Sequence, residues 1–411
     1  MTGEFEAATE NAALKQAIAG RIRREGAITF RDFMEMALYH PQLGYYCSPR
    51  EQMGRHGDYL TSPEVSSIFG VMVGRQLREM WEALDRPERF DVVEAGAGSG
   101  ALARDVLRWA RDTAPALFQA THYAIVELAA APAERQRAAL TAEGLDGKVR
   151  WTEALPEGSE GSILSNELLD SMPVHRVELR RGRLREVFVG WDGERFLEEL
   201  REPSSPEIGE YFRRLDLLPG EGCRAEVNLG ALRWAGEAAR TLARGFVLTF
   251  DYGHEAAELF APWRTDGTLL CFYRHNPSAD PYARIGRQDM TSHVDFTSVR
   301  RAGEEAGLRT LGMASQSEFL LGLGIGEALG SLTPNPRSAG PGQASPTGRE
   351  RREGEGTASL EEYYARRRAV TELLDAGGLG RIRVLVQAKG VPAVALTGLR
   401  GLPAGKAGGA D

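Results

Sequence analysis

The sequence predicts an α/β protein: a Rossmann-like, doubly wound sheet with a helical N-terminal region and an antiparallel β insertion. Three observations predict it. The stretch FDVVEAGAGSGALARDVLRWA, residues 90–110, opens with an apolar run short enough for a buried strand. It then passes through glycines at alternate positions and changes to a helical period. Further apolar strands in THYAIVELAA, GSIL and GFVLTFDYG recur with helical stretches between them. From 174 to 199 the pattern alternates instead, with turns at Arg181-Gly182 and Asp192-Gly193.

In chain order, residues 14–24 read as a short amphipathic helix. Thr29 can cap a second, through Phe33, Met36 and Leu38, that stops near His40-Pro41. GRHGDYLTSPE, 54–64, is rich in turn formers and on composition alone is a surface loop. Ser62, with Pro63 at the first helical position, starts a single helix whose apolar face runs from Val65 to Trp81. After the glycine loop, 111–120 reads as an extended connection to a second strand that ends at Glu127. Residues 140–151 suggest a third αβ unit. A fourth strand begins at 161–164 and runs into SNELLDSMPV. Ser165, Asn166, Glu167 and Asp170 then lie at a strand's C-terminal end, where open α/β sheets place their ligands. The 203–222 stretch holds a short helix, and 229–242 another. GFVLTFDYG is the next buried strand, ending near Asp251, and LLCFYRH a further one. The segment HNPSADPYARIGRQDMTSHVDF has no clear periodicity, a length that is often functional. Helices follow at 296–306 and 361–374, and a last strand at 381–389. Residues 331–358 are low-complexity and read as a flexible insertion.

The domain reading is therefore a helical, capping N-terminal region at 1–89 and a core made of 90–173 and 227–390. The hairpin insertion is 174–226, and 391–411 is a disordered tail.

The glycine loop can hold either of two ligand classes. Gly96, Gly98 and Ala101 satisfy the G-x-G-x-x-G/A dinucleotide pattern. A pyrophosphate would sit at the helix N-terminus with its negative charge, and Glu94, two residues before the first glycine, would repel it. S-adenosylmethionine has no phosphate and carries a sulfonium and an ammonium that a strand-end carboxylate suits. Glu94, Gly96, Gly98 and Gly100 therefore favour S-adenosylmethionine over NAD. Glu127 is placed to hydrogen-bond ribose hydroxyls, although its interval from the loop exceeds the usual ~20 residues.

Composition bounds the rest. Against 58 Asp+Glu stand 50 Lys+Arg, a net charge of −8 that argues against a dedicated nucleic-acid binder. Cys47, Cys223 and Cys271 lie far apart with no zinc spacing, which reads as free thiols in a reducing compartment and no metal site. No apolar run approaches the ~20 residues of a membrane helix. Glu4, Glu6 and Glu10 argue against a transit peptide, so the expectation is a cytoplasmic protein. A homodimer is compatible with all of this.

Several stretches taken together resemble the MidA-like S-adenosylmethionine-dependent methyltransferases. That family includes a mitochondrial complex I assembly factor with protein arginine methyltransferase activity. The stretches are LYHPQLGYY, GRHGDYLTSPEVSSIFG, the E-A-G-A-G-S-G loop, SNELLDSMPVHR, FDYGH, and GRQDMTSHVDF followed by SQSEFLLGLGI. The chain departs from the family pattern at Ala95 and Ala97 and at Leu168 and Leu169. The resemblance implies a Rossmann-like class I methyltransferase sheet and S-adenosyl-L-methionine as cofactor. It implies methylation of a protein arginine on a respiratory complex I subunit. It also moves 54–64 into the cofactor and substrate region, adding Gly57, Asp58, Thr61 and Ser165 to the cofactor residues. A guanidinium needs carboxylates that hold its fork and take a proton. The candidates are Glu167, Asp170, Glu64 and Asp58, with Asp251 next and Asn166 able to fix the cofactor or the guanidinium through its amide; His293 with Asp295 is an alternative orienting pair. A small-molecule methyltransferase and a non-catalytic assembly factor remain open as alternatives.

Overall fold

The computed structural model describes residues 10–48, 53–54, 57–327 and 360–400. Its centre is a seven-stranded sheet. In spatial order the strands are Arg309–Ser315, Arg383–Lys389, Leu242–Asp251, Ser159–Asn166, Phe90–Ala95, Thr121–Val126 and Val149–Thr152. Arg383–Lys389 runs antiparallel to both neighbours, and the remaining pairings given for the sheet are parallel. The chain starts at Phe90–Ala95, steps outward to Val149–Thr152, then returns to lay Ser159–Asn166 on the opposite side of the first strand. The order reverses between those two central strands, and ligands of such sheets sit in the crevice that opens there.

The strand sequences explain their position. Every residue of Phe90–Ala95 is buried, as expected of a strand covered on both faces. In Leu242–Asp251 the side chains alternate between two cores. Phe246, Leu248 and Phe250 join one with Phe69, Met72 and Leu102. Val247 joins the other with Ala235, Ala238 and Phe296. Helices Ser67–Ala83 and Ala101–Thr113 belong to the first core, and Leu229–Thr241 and Phe296–Glu305 to the second.

A smaller antiparallel sheet stands beside the main one. Arg183–Trp191 pairs with His175–Arg180 and with Phe196–Arg201, and Arg224–Val227 pairs with His175–Arg180. The N-terminal region is built into this sheet: Ile28 pairs with Val189 and Thr29 with Phe188. Helices Ala12–Glu25 and Phe30–Tyr39 share a core with Val187, Val189 and Phe196. Thr29 caps the second of them, its Oγ1 accepting from the Asp32 amide at 3.0 Å.

Four local expectations are corrected. The helix expected from Ser62 is two: Ser62–Val65, then Ser67–Ala83. Ser66 is extended (φ −168°, ψ 145°), and its Oγ accepts from the Ile68 amide at 3.2 Å, so it caps the second. The 111–120 connection is helical, because Pro115 opens a short helix, Pro115–Ala120, immediately after Ala101–Thr113. Arg309–Ser315 and the helix Gln316–Gly322 fill a stretch with no element expected; its Ser315/Glu318 capping box was present in the sequence. Finally, 391–400 is packed onto the core. Leu396 is buried, and the Thr397 and Gly398 amides donate to Glu79 and Gln76. The 331–358 insertion and the remainder of the tail lie outside the described residues. Among those described, no helix is long and apolar enough to cross a membrane.

The packed 391–400 segment makes a prediction. Leu396→Ala should cost about 2–5 kcal/mol of folding stability, the range for a buried leucine. An unchanged urea-denaturation midpoint would return the segment to the status of a frayed tail.

Candidate functional site

A cavity of about 810 Å³ opens over the point where the strand order reverses. One half is built from the first three sheet strands. Phe90–Ala95 delivers Glu94 to the cavity wall, where the carboxylate accepts from the Tyr123 hydroxyl at 2.7 Å. Burial pushes Glu94 up to about 7, against the opposing effect of that hydrogen bond. The chain then turns through Gly96 (φ 70°), Gly98 (φ 56°) and Gly100 (φ 83°) into the helix Ala101–Thr113. A Cβ at Gly98 would lie 2.7 Å from the methyl carbon of Met53, a flexible side-chain end that can shift, so it is the positive φ that favours glycine there.

Thr121–Val126 delivers Glu127 to the same wall. Its Oε1 accepts from the Ala129 amide at 3.0 Å and its Oε2 from Gln136 Nε2 at 3.1 Å. Gln136 Nε2 also donates to the Gly98 carbonyl at 2.9 Å, and Trp151 Nε1 donates to Gln136 Oε1 at 2.9 Å. Gln136 thus ties the glycine loop to the acid beside it. Sequence reasoning missed it, because a lone glutamine in a helix carries no pattern of its own. Glu64 lines the cavity and accepts from the Ser99 hydroxyl, and Thr61 lines it nearby.

The other half is built on the turn after Ser159–Asn166. Glu167 sits at φ 51°, an uncommon conformation for a non-glycine residue. Its Oε1 accepts from Asn166 Nδ2 at 3.0 Å and from the Ser62 amide at 3.3 Å. Burial, then the neighbouring Asp170, pushes Glu167 up to about 8. Asp251 holds the turn from below, accepting from the Leu168 and Leu169 amides at 3.2 and 2.7 Å. Asp289 is also buried, raised to about 6 by burial, and accepts from the Tyr46 hydroxyl at 2.6 Å.

Of the residues expected at the site, Glu64, Thr61, Glu94, Gly96, Gly98, Glu127, Asn166 and Glu167 line the cavity. Five do not. Gly57 and Asp58 sit behind it: Asp58 accepts from the Tyr45 hydroxyl at 2.9 Å and from the Arg274 amide at 2.8 Å, which makes it a clamp between two loops. Gly100 faces Gln136, and Ser165 is sealed inside its strand. Asp170 is buried behind Glu167, raised first by its burial and then by Asp251. The His293–Asp295 pair does not reach the cavity either. Asp295 caps the helix Phe296–Glu305 and accepts from the Tyr211 hydroxyl at 2.7 Å. His293 is lowered by burial to about 3 and lies beside His254, with ring centroids 5.1 Å apart.

Comparison with known proteins identifies the family. The model of an S-adenosyl-L-methionine-dependent methyltransferase family matches residues 72–314. The "Protein arginine methyltransferase NDUFAF7 homolog, mitochondrial" of Drosophila melanogaster is 31% identical over 347 residues, covering 77% of this chain and 76% of its own. The human "Protein arginine methyltransferase NDUFAF7, mitochondrial" is 28% identical over 337 residues, covering 74% and 72%. A Burkholderia thailandensis protein crystallised with S-adenosyl-homocysteine superimposes with a TM-score of 0.82 at 31% identity over 94% of both chains. These relatives overturn the expectation of a cytoplasmic protein, since the curated ones are mitochondrial by name. That expectation rested on three acidic residues near the start, which report nothing about the rest of the chain.

The residues present fit S-adenosylmethionine. Gly96 and Gly98 line the cavity beside two carboxylates, Glu127, of the kind ribose hydroxyls pair with, and Glu94, of the kind a cation pairs with. Leu128, 82% exposed at the cavity lip, supplies apolar surface for a planar base. Gly98→Val should lower S-adenosylmethionine affinity at least about tenfold while thermal melting shows a folded protein, because a branched side chain is strained at positive φ. Calorimetric affinity equal to wild type would refute this placement of the loop.

Proposed function

The chain belongs to the S-adenosyl-L-methionine-dependent methyltransferase family, and from that premise we propose that it methylates arginine side chains of a protein. One observation carries the choice of acceptor. Glu167 lines the cavity half-buried, and the buried Asp170, Asp251 and Asp289 lie close enough to act on it or on one another. Among the described residues no lysine or arginine forms an ion pair with any of them. Desolvated carboxylates without a cation raise their own pKa values, and all four are raised. A guanidinium supplies the missing charge, and its planar fork matches a carboxylate bidentately. The relatives named as protein arginine methyltransferases support the same reading. The MidA-like resemblance points to a respiratory complex I subunit as the protein acceptor.

S-adenosylmethionine brings an electrophilic methyl on sulfonium sulfur. The protein's task is to aim a guanidinium nitrogen at that methyl and to receive its proton. Glu167 lies at the mouth of the sheet, beside the glycine loop in space, and is the group assigned to both. As the N–C bond forms and the C–S bond breaks, one N–H proton passes to the Glu167 carboxylate. Asn166 Nδ2 holds Oε1 in place, which leaves Oε2 for the guanidinium. Asp251 and Asp170 act behind it as positioning residues. In-line alignment contributes much of the rate in such a displacement.

Glu167→Gln keeps the size and removes the charge. Turnover on an arginine-containing protein should fall about a hundredfold or more, the scale of a general-base contribution, while S-adenosylmethionine affinity changes little. The pH profile supplies a second readout. A carboxyl raised to about 8 is protonated below that pH, and only its ionised form pairs with guanidinium. Acceptor kcat/KM should therefore climb as pH rises through about 8, and Glu167→Gln should lack that limb. Turnover near wild type would move the acceptor carboxylate elsewhere, with Glu64 next. Methyl incorporation into small metabolites alone would defeat the protein-arginine reading.

A further inference from the structure

Three tyrosines line the acceptor end of the cavity: Tyr39, Tyr46 and Tyr59. They come from the two stretches upstream of the main sheet, LYHPQLGYY and GDYLTSP. Tyr39 ends the helix Phe30–Tyr39, and the chain doubles back so that the Tyr45 and Tyr46 amides donate to Ala37 and Leu38 carbonyls. Gly44 permits the reversal, since a Cβ there would sit 2.5 Å from the His40 amide nitrogen. The result is a tilted ring pair: the Tyr39 and Tyr46 ring centroids are 5.2 Å apart with the planes inclined at 34°.

The hydroxyls of the pair are both hydrogen-bonded within the protein. Tyr39 donates to Ser171 at 3.1 Å, and Tyr46 donates to Asp289 at 2.6 Å. Tyr59 lines the same cavity. With the hydroxyls of the pair engaged, the three residues bring aromatic ring surface to the cavity lining. A phenol that donates to a carboxylate has a more electron-rich ring, and an electron-rich ring face attracts cations. Glu167, also on the cavity wall, carries the carboxylate that would share the same cation.

The geometry points to an aromatic cation subsite, walled by Tyr39, Tyr46 and Tyr59 and backed by Asp289, that holds the acceptor's guanidinium against Glu167. This rests on the arginine reading for the identity of the cation, but not for the existence of the subsite. Rings grip the flat faces of the guanidinium while the carboxylate grips its edge, so the two contacts do not compete. The ring wall also tolerates a nitrogen that has already gained a methyl, because cation–π attraction needs no N–H. Asp289 acts through Tyr46 and is a positioning residue.

The test uses the full chain saturated with S-adenosylhomocysteine and two probes, agmatine and tetramethylammonium, with binding read by calorimetry. Tetramethylammonium cannot donate a hydrogen bond, so it reports the ring wall alone. Wild type should bind both. Tyr46→Leu should weaken both roughly fivefold or more, Tyr46→Phe should stay within about threefold, and S-adenosylhomocysteine affinity should hold in each. Should Tyr46→Leu lose S-adenosylhomocysteine binding through misfolding, Tyr59→Leu decides by the same measurement. Probe affinities unchanged by loss of the ring would overturn the subsite, as would Tyr46→Phe losing as much as Tyr46→Leu. Ring-dependent binding of both probes by a protein that methylates no arginine would uphold the subsite and remove the arginine reading instead.

Discussion

One buried carboxylate, Asp251, holds the site's floor in place. It stands at the end of the fifth sheet strand in chain order and takes the amides of Leu168 and Leu169, two residues that leave the neighbouring strand. Those bonds, with the Glu167 amide donating to the Phe250 carbonyl at 2.8 Å, fix the turn that holds Glu167 at positive φ. A non-glycine residue there costs on the order of 1–3 kcal/mol and persists only where its surroundings over-determine it. Without Asp251, Glu167 would relax toward an ordinary conformation and Asn166 would lose its partner.

The two halves of the cavity differ in how many acids they gather. On the cofactor side, Glu94 and Glu127 are each satisfied by hydrogen bonds from within the protein, through Tyr123 and Gln136. The acceptor side gathers more acids than its surroundings neutralise. Burying a charge without a partner costs several kcal/mol, and the cheaper course is to keep the proton. The carboxyl of Glu167, raised to about 8, is that course taken. An entering cation reverses the balance, so the free protein stores an attraction that is released only when the right charge arrives.

The sheet was legible because its residues obey simple periods. Val92, Val93, Ile163 and Phe246 form short apolar runs, and the glycine loop changes period where the helix begins. Glu94, Glu127 and Glu167 were legible because each follows such a run at a strand end. The misses have local causes. Pro115 reads as a breaker but opens a helix, and Ser66 interrupts an apolar face without changing its composition. Gly312 and the small residues around it hide the edge strand Arg309–Ser315. Asp58 was expected at the ligand only through the family resemblance, whereas it clamps nearby Tyr45 to Arg274, a residue remote in sequence. Gln136 and the ring wall had no signal of their own, since their meaning comes from contacts that only folding creates.

Tyr46 and Asp289 are 243 positions apart, and that separation bears on how the molecule is made. During synthesis the first three sheet strands and their glycine loop emerge well before residue 289. Local αβ units can assemble as they appear, whereas a contact spanning most of the chain must wait and bears a larger loop-closure cost. The cofactor half is therefore the early-folding half, and the tyrosine wall is completed late. Until then the newborn chain carries tyrosine rings and an uncovered acid-rich crevice, which makes its unfinished acceptor end the stretch most in need of shelter.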